Sequence, residues 1–221
     1  MRYTVIASDY DGTLAIRGKM PEPTVPALRR WRAHGGKLIL ITGRFLDSFP
    51  TPEHFDLFDV VVGENGAVLF VPATGEQRTL GAAPPAALVT LLRERGVEPL
   101  FVGESMIATY QPHEIPIQAA LQELGLDWRI IMNKWNVMVL PAGVDKASGL
   151  HAALDILGQA LDATVGVGDA ENDEDFLAIC GHAVAVDNAL PALKQQAHRV
   201  TQGEHGYGVA ELVEALLAEA G

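Results

Sequence analysis

Asp9 and Asp11 stand two positions apart in TVIASDYDGTLA, and Asp169 and Asp173 stand four apart in GDAENDEDF. Two carboxylates about 4 Å apart repel by roughly 4 kcal/mol at an effective dielectric of about 20, so a site that gathers four of them needs a cation to hold it together. A hard ion such as Mg²⁺, held by a few carboxylate oxygens, waters and a substrate phosphate, suits that donor set. On an extended segment residues two apart point the same way, so Asp9 and Asp11 are expected to share one site while Tyr10 faces elsewhere. A carboxylate can attack phosphorus to form an aspartyl-phosphate, which splits one difficult transfer into two easier steps. A second carboxyl group can protonate the leaving oxygen and later activate water. The negative phosphoryl oxygens need donors, and the Thr42 hydroxyl, backbone N–H groups of the Thr42-Gly43-Arg44 segment and the Lys146 ammonium are candidates.

These groups do chemistry together only if the fold brings them together. Tyr3 to Ser8 reads as a buried strand, and PEPTVPALRRWRAHGG as a helix with Thr24 near its start and Gly35 at its end. Lys37 to Thr42 is a second strand, and FDVVVGENGAVLF a third that folds back at Asn65-Gly66. After Val144 the pattern is helix from Asp145, strand TVGVG, helix from Glu171, strand HAVAV, a short helix near Leu193 and a final helix after Gly206. Alternating strands and helices imply a parallel sheet covered on both faces. The Asp9, Thr42 and Asp169 clusters each follow a strand of that sheet, at the edge where open α/β sheets bind ligands.

The middle of the chain reads differently: helix PPAALVTLLRERG, strands EPLFVG and SMIATY, helix HEIPIQAALQELG, strands WRIIMN and WNVMVLP. Paired strands between single helices imply a small antiparallel sheet with helices on one face. The expected architecture is therefore α/β: a Rossmann-like parallel-sheet core from residues 1–72 and 141–221, with a smaller α+β domain, 73–140, inserted as a cap. The Pro72 to Gly75 and Pro141 to Gly143 segments read equally as hinge strands or as ordinary loops.

With 28 acidic and 16 basic residues the formal net charge is -12, which opposes attraction to nucleic acid or to an anionic membrane. No apolar run approaches a membrane span, and the eight residues before Asp9 leave no room for a signal peptide. Cys180 is the only cysteine and reads as a buried small hydrophobe in a reducing compartment. The expectation is a soluble cytoplasmic protein in which any phosphate site is local.

DYDGTL, ITGR, the lysine of GVDKASGL and GDAENDEDF, in that order, resemble the four motifs of the haloacid dehalogenase (HAD) superfamily of phosphohydrolases, and the resemblance covers essentially the whole chain. The insert resembles the larger cap of the Cof-type sugar phosphatases and archaeal phosphoglycolate phosphatases. The resemblance implies an Mg²⁺-dependent phosphatase acting on sugar phosphates or phosphoglycolate. It implies Asp9 as nucleophile, Asp11 as general acid/base, and Thr42, with Gly43 beside it, and Lys146 as phosphate ligands. It further implies a metal site of Asp9, Asp11, Asp169 and Asp173, with Asn172 near the phosphate. Ala170 departs from the usual glycine at a position without a ligand role.

Two other classes use similar residues. A receiver domain also carries an aspartyl-phosphate, a Thr and a Lys, but lacks an insert and a late acidic cluster; a catalytically idle phosphate-binding module is the other alternative. An EF-hand reading of GDAENDEDF fails because Glu174 stands at the glycine position and Cys180 at the final glutamate. GVGDAE has only two of the three glycines of a dinucleotide loop and puts acids where pyrophosphate would lie. Among single residues, His113 reads as an exposed helix start, and Arg44 equally as an anion contact or a structural partner of an acid. Lys134 lies on a turn facing toward or away from the site, and Asn65 is explained by the turn alone.

Overall fold

Short apolar runs rich in β-branched residues build the sheet that carries the acidic clusters. The structure, a computed structural model, describes residues 2–48 and 52–219. The first half of the core comprises β1 (Val5–Asp9), α1 (Thr24–Ala33), β2 (Lys37–Ile41), β3 (Val60–Gly63), β4 (Val68–Val71) and β5 (Glu76–Thr79). The insert follows as α2 (Ala86–Glu94), β6 (Phe101–Val102), β7 (Ile107–Tyr110), α3 (Glu114–Glu123), β8 (Trp128–Asn133) and β9 (Asn136–Pro141). The chain then re-enters the core with α4 (Lys146–Leu157), β10 (Thr164–Gly168), α5 (Glu174–Ile179), β11 (His182–Ala185), α6 (Pro191–Gln196), β12 (Arg199–Val200) and α7 (His205–Ala218).

The large sheet has the order β12-β11-β10-β1-β2-β3-β4-β5. Its first six strands run parallel, and β4 and β5 are antiparallel additions at one edge. Every residue of β1, β3 and β10 is buried, so both faces are covered, as a parallel sheet requires. Helix α1 packs on α7 and α4 on α5. The insert is a four-stranded antiparallel sheet, β6-β7-β9-β8. One face buries Ile107, Val137 and Val139 against α2 and α3. The alternate residues of β9, Met138 and Leu140, instead join Met106 and the core residues Ala67, Val68 and Val144 in a small apolar cluster at the seam.

The structure refines the sequence reading at three places. Glu76–Thr79, assigned to the insert with the rest of 73–140, pairs with β4 as an edge strand, so the chain leaves the large sheet after Thr79. Pro72 to Gly75 is accordingly the turn between β4 and β5, closed by Gly75 N–H donating to Val71 O at 2.9 Å, and not a hinge. Thr24 is the first residue of α1, at the start where the sequence places it; Pro23 holds the cap position and Thr24 Oγ1 is buried without a hydrogen-bond partner among the described residues. Helix α4, by contrast, starts with a complete capping box. Ser148 N–H donates to Asp145 Oδ1 at 2.8 Å, and Asp145 N–H donates to Ser148 Oγ at 3.0 Å, an arrangement of the kind that contributes about 1 kcal/mol. This fixes Lys146 as the first helical residue.

Candidate active site

Parallel pairing sets the site. In register, Ser8 lies beside Val167 and Asp9 beside Ile41, so Asp9, the Thr42-Gly43-Arg44 segment and Asp169 emerge at one edge of the sheet. Lys146 comes to the same place from the N-terminus of α4, and its Nζ lies 2.5 Å from Asp9 Oδ1 and 2.6 Å from Asp173 Oδ1. All three side chains are buried. Burial alone would depress the lysine, but Asp173 and Asp9 outweigh it and hold the ammonium above the usual lysine value. Asp9 is pushed well up by burial and further by Asp173 and Asp169, against the pull of Lys146.

Asp173 has a second task. Its Oδ2 accepts from the Asp169 and Ala170 N–H groups at 2.8 and 3.0 Å, which curls the 169–173 loop tightly. Asp169 accepts from Thr13 Oγ1 at 2.8 Å and from Lys134 Nζ at 2.7 Å. Burial and Asp173 raise its pKa, and Lys134 and Thr13 oppose that. Asp9, Asp169 and Asp173 each offer one carboxylate oxygen, all within 4.8 Å of one another. An all-oxygen set of carboxylates is matched to a hard divalent cation, which would offset the burial and the mutual repulsion that raise Asp9 and Asp169.

Asp11 does not join this cluster. Strand β1 ends at Asp9, the chain turns through Gly12 at φ +98°, and the alternation that would have aimed Asp11 with Asp9 stops there. Its carboxylate takes a two-pronged contact from Arg44, with Nε to Oδ2 at 2.5 Å and Nη2 to Oδ1 at 2.6 Å. The Arg44 guanidinium also lies over the Tyr10 ring. Asp9, Asp11, Thr42, Gly43 and Arg44 line one side of a cavity of about 540 Å³. The other side comes from the insert and includes Tyr110, Asn133, Asn136 and Met138. Thr42 is buried, with its hydroxyl accepting from Arg44 N–H at 3.2 Å. Lys146 and Asn172 lie behind this wall; Asn172 Nδ2 donates to Asn65 Oδ1 at 2.9 Å.

The residues singled out in the sequence therefore converge, with Asp11 set apart from the carboxylate cluster. Others were missed. Thr13 and Asn65 carry side-chain contacts at the site that motif spacing and turn propensity hide. Lys134, on the tight β8–β9 turn at φ +55°, faces the site. Gly12 O accepts from Asn188 Nδ2 at 2.8 Å and lies 2.7 Å from His205 Nδ1, so α7 and the loop after β11 steady the segment that carries Asp11. His113 precedes α3 in the insert, away from the cavity, with Nε2 3.0 Å from Glu98 O.

Comparison with known proteins agrees with this geometry. The profile of the haloacid dehalogenase-like hydrolases matches residues 6–123 and 109–213. The phosphoglycolate phosphatase of Halorubrum lacusprofundi is 31% identical over 220 residues, covering 93% of each chain. That of Methanothermobacter thermautotrophicus is 30% identical, covering 94% of this chain and 96% of its own. A haloacid dehalogenase-like hydrolase from Bacteroides thetaiotaomicron superposes with a TM-score of 0.82 at 20% identity, over 97% of this chain and 99% of that one. A HAD subclass IIB sugar phosphatase gives 0.80 at 20% identity, over 96% and 98%. The acid cluster at the strand ends, the lysine that bridges it and these likenesses along the whole length lead to one conclusion: the chain belongs to the haloacid dehalogenase superfamily, as one of its phosphohydrolases.

Proposed function

We propose that the protein hydrolyses small phosphate monoesters of the phosphoglycolate or sugar-phosphate type with Mg²⁺ as cofactor, and that Asp9 is its nucleophile. The observation that carries this reading is the buried Lys146 ammonium between Asp9, which lines the cavity, and Asp173. Asp9 attacks phosphorus, the bond from phosphorus to the ester oxygen breaks, and Asp11 gives a proton to the leaving alcohol. Asp11 then takes a proton from the water that attacks the aspartyl-phosphate, which releases inorganic phosphate and restores Asp9. Asp9, Asp169 and Asp173 would hold Mg²⁺, which supplies positive charge for the phosphoryl oxygens. Thr42 and the backbone at Gly43 donate to those oxygens, and Lys146, with two of its three donors on Asp9 and Asp173, keeps one for the group that Asp9 receives.

The insert roofs the cavity, which favours compact metabolites over phosphopeptides, and the net charge of -12 disfavours nucleic acid. The buried Cys180 thiol, pushed up to about 12 by burial, is inert and suits a reducing cytoplasm. A panel of small phosphates, p-nitrophenyl phosphate and a phosphopeptide, assayed with Mg²⁺ and with EDTA, tests the reading. Continuous, EDTA-sensitive release of phosphate from the small esters is expected. A single stoichiometric phosphorylation without further turnover would instead identify a receiver.

A further inference from the structure

Between β3 and β4 the chain reverses through Glu64, Asn65 and Gly66, with φ of +48°, +54° and +111°. Asn-Gly suffices for such a reversal, whereas a glutamate in the left-handed region is strained and a buried carboxylate is costly. Glu64 is 3% exposed and Asn65 1% exposed, so both side chains are held inside the molecule at a place where a plain turn would face water.

Their contacts run in four directions. Glu64 N–H donates to Arg44 O at 2.8 Å and Asn65 N–H to Thr42 O at 2.9 Å, so the turn fixes the backbone of the segment that lines the phosphate side of the cavity. Asn65 Oδ1 accepts from Asn172 Nδ2 at 2.9 Å, while Asn172 Oδ1 has no partner among the described residues. Asn65 alone therefore sets the Asn172 amide, and the pair flanks Gly43: a Cβ placed on Gly43 would lie 3.9 Å from Asn65 Oδ1 and 4.0 Å from Asn172 Nδ2. Gly66 presses on the start of α4, where an added Cβ would lie 1.8 Å from Asp145 O. The Glu64 carboxylate turns to the insert and accepts from the Glu104 and Ser105 N–H groups, each at 2.9 Å.

We propose that the Glu64–Gly66 turn is a positioning element of the phosphate site, in which Asn65 sets Asn172 beside Gly43 and Glu64 ties that arrangement to the seating of the insert. The proposal rests on the phosphatase reading for the identity of the ligand. Its test measures binding of inorganic phosphate to the full-length protein with Mg²⁺ by calorimetry, which needs no turnover. Asn65→Gly removes the side chain and keeps the positive φ. Asn65→Gly and Asn172→Ala are each expected to weaken phosphate binding by about tenfold. The double variant should lose no more than about twofold beyond Asn172→Ala, because one residue acts through the other.

Glu64→Ala should speed amide exchange at residues 104–106 and weaken phosphate binding at the same time. Unaltered affinity in Asn65→Gly, or a double-variant loss equal to the product of the single losses, overturns the role of Asn65. Faster exchange at 104–106 with unaltered phosphate affinity in Glu64→Ala overturns the tie to the insert. Should Glu64→Ala fail to fold, Glu64→Gln, which keeps one acceptor oxygen, gives the same readout with a smaller change. Phosphate bound by the wild type without ester hydrolysis would count against the phosphatase reading and leave this one standing.

Discussion

Lys134 Nζ of the insert lies 2.7 Å from Asp169 Oδ2 of the core, and the Lys134 N–H reaches Glu171 Oε2 at 3.4 Å, so the tip of the β8–β9 hairpin clasps the loop that carries the buried acids. The Lys134 side chain is 44% exposed while that of its partner is fully buried. The contact thus brings a partly exposed charge to an oxygen that a metal ion would also seek.

Lys134→Ala is expected to change stability by less than about 1 kcal/mol, the usual range for a solvent-screened pair. Calorimetry with Mg²⁺ should show several-fold tighter binding, because the ammonium no longer competes for Asp169. Equal or weaker Mg²⁺ affinity would show that the two do not compete.

Asp9→Asn keeps shape and hydrogen-bonding capacity toward Lys146 but replaces the attacking oxygen by a poor nucleophile. Turnover of p-nitrophenyl phosphate should fall by about four orders of magnitude, with the circular dichroism spectrum unchanged. Activity above about 1% of wild type in a folded variant would move the nucleophile elsewhere.

The raised Asp9 and Asp169 carboxyls make a prediction about stability and pH. In the window from the ordinary carboxylate value of 3.8 up to their raised values, the folded state binds more protons than the unfolded one, so stability falls as pH rises and the cost is complete above it. In EDTA, urea midpoints should therefore decline as pH rises through that window. Mg²⁺ should restore stability, and by more at pH 7 than at pH 4.

Gly66→Ala would push a Cβ into the Asp145 carbonyl at φ +111°, and should cost more than about 3 kcal/mol in chemical denaturation. Gly75→Ala, at φ +72° with nothing within 4 Å, isolates the backbone cost and should lose about 1 kcal/mol. Equal losses would mean that the packing of the turn on α4 is slack.

The parallel strands were legible because they are short apolar runs such as KLILI and TVGVG, and α4 because it stands between two of them in the alternation of strands and helices. Strand β5 was not, since EQRT is wholly exposed and owes its conformation to β4 alone, and β12 is only two residues long. At the site, residue types and strand ends were enough to gather Asp9, Thr42, Asp169 and Asp173. Asp11 lines the same cavity as Asp9 but stands outside the Asp9, Asp169 and Asp173 cluster, because a two-residue period holds only while the strand lasts. The direction of Lys134 depends on how the insert docks, a long-range relationship that no local pattern carries. Asn65 was hidden by its own suitability for a turn, which gave a complete local reason and left its side chain unexamined.

Met106 and Met138 sit where the insert meets the core, and the large sheet offers β-branched residues such as Val60, Val61 and Val62 in the corresponding interior positions. A valine has essentially one preferred rotamer against its neighbours and resists shear, whereas an unbranched thioether keeps contact through a range of angles. Rigidity and give are thus allotted by side-chain type: stiff, β-branched residues fill the strands that aim the acids, and unbranched thioethers fill the joint that seats the insert beside them.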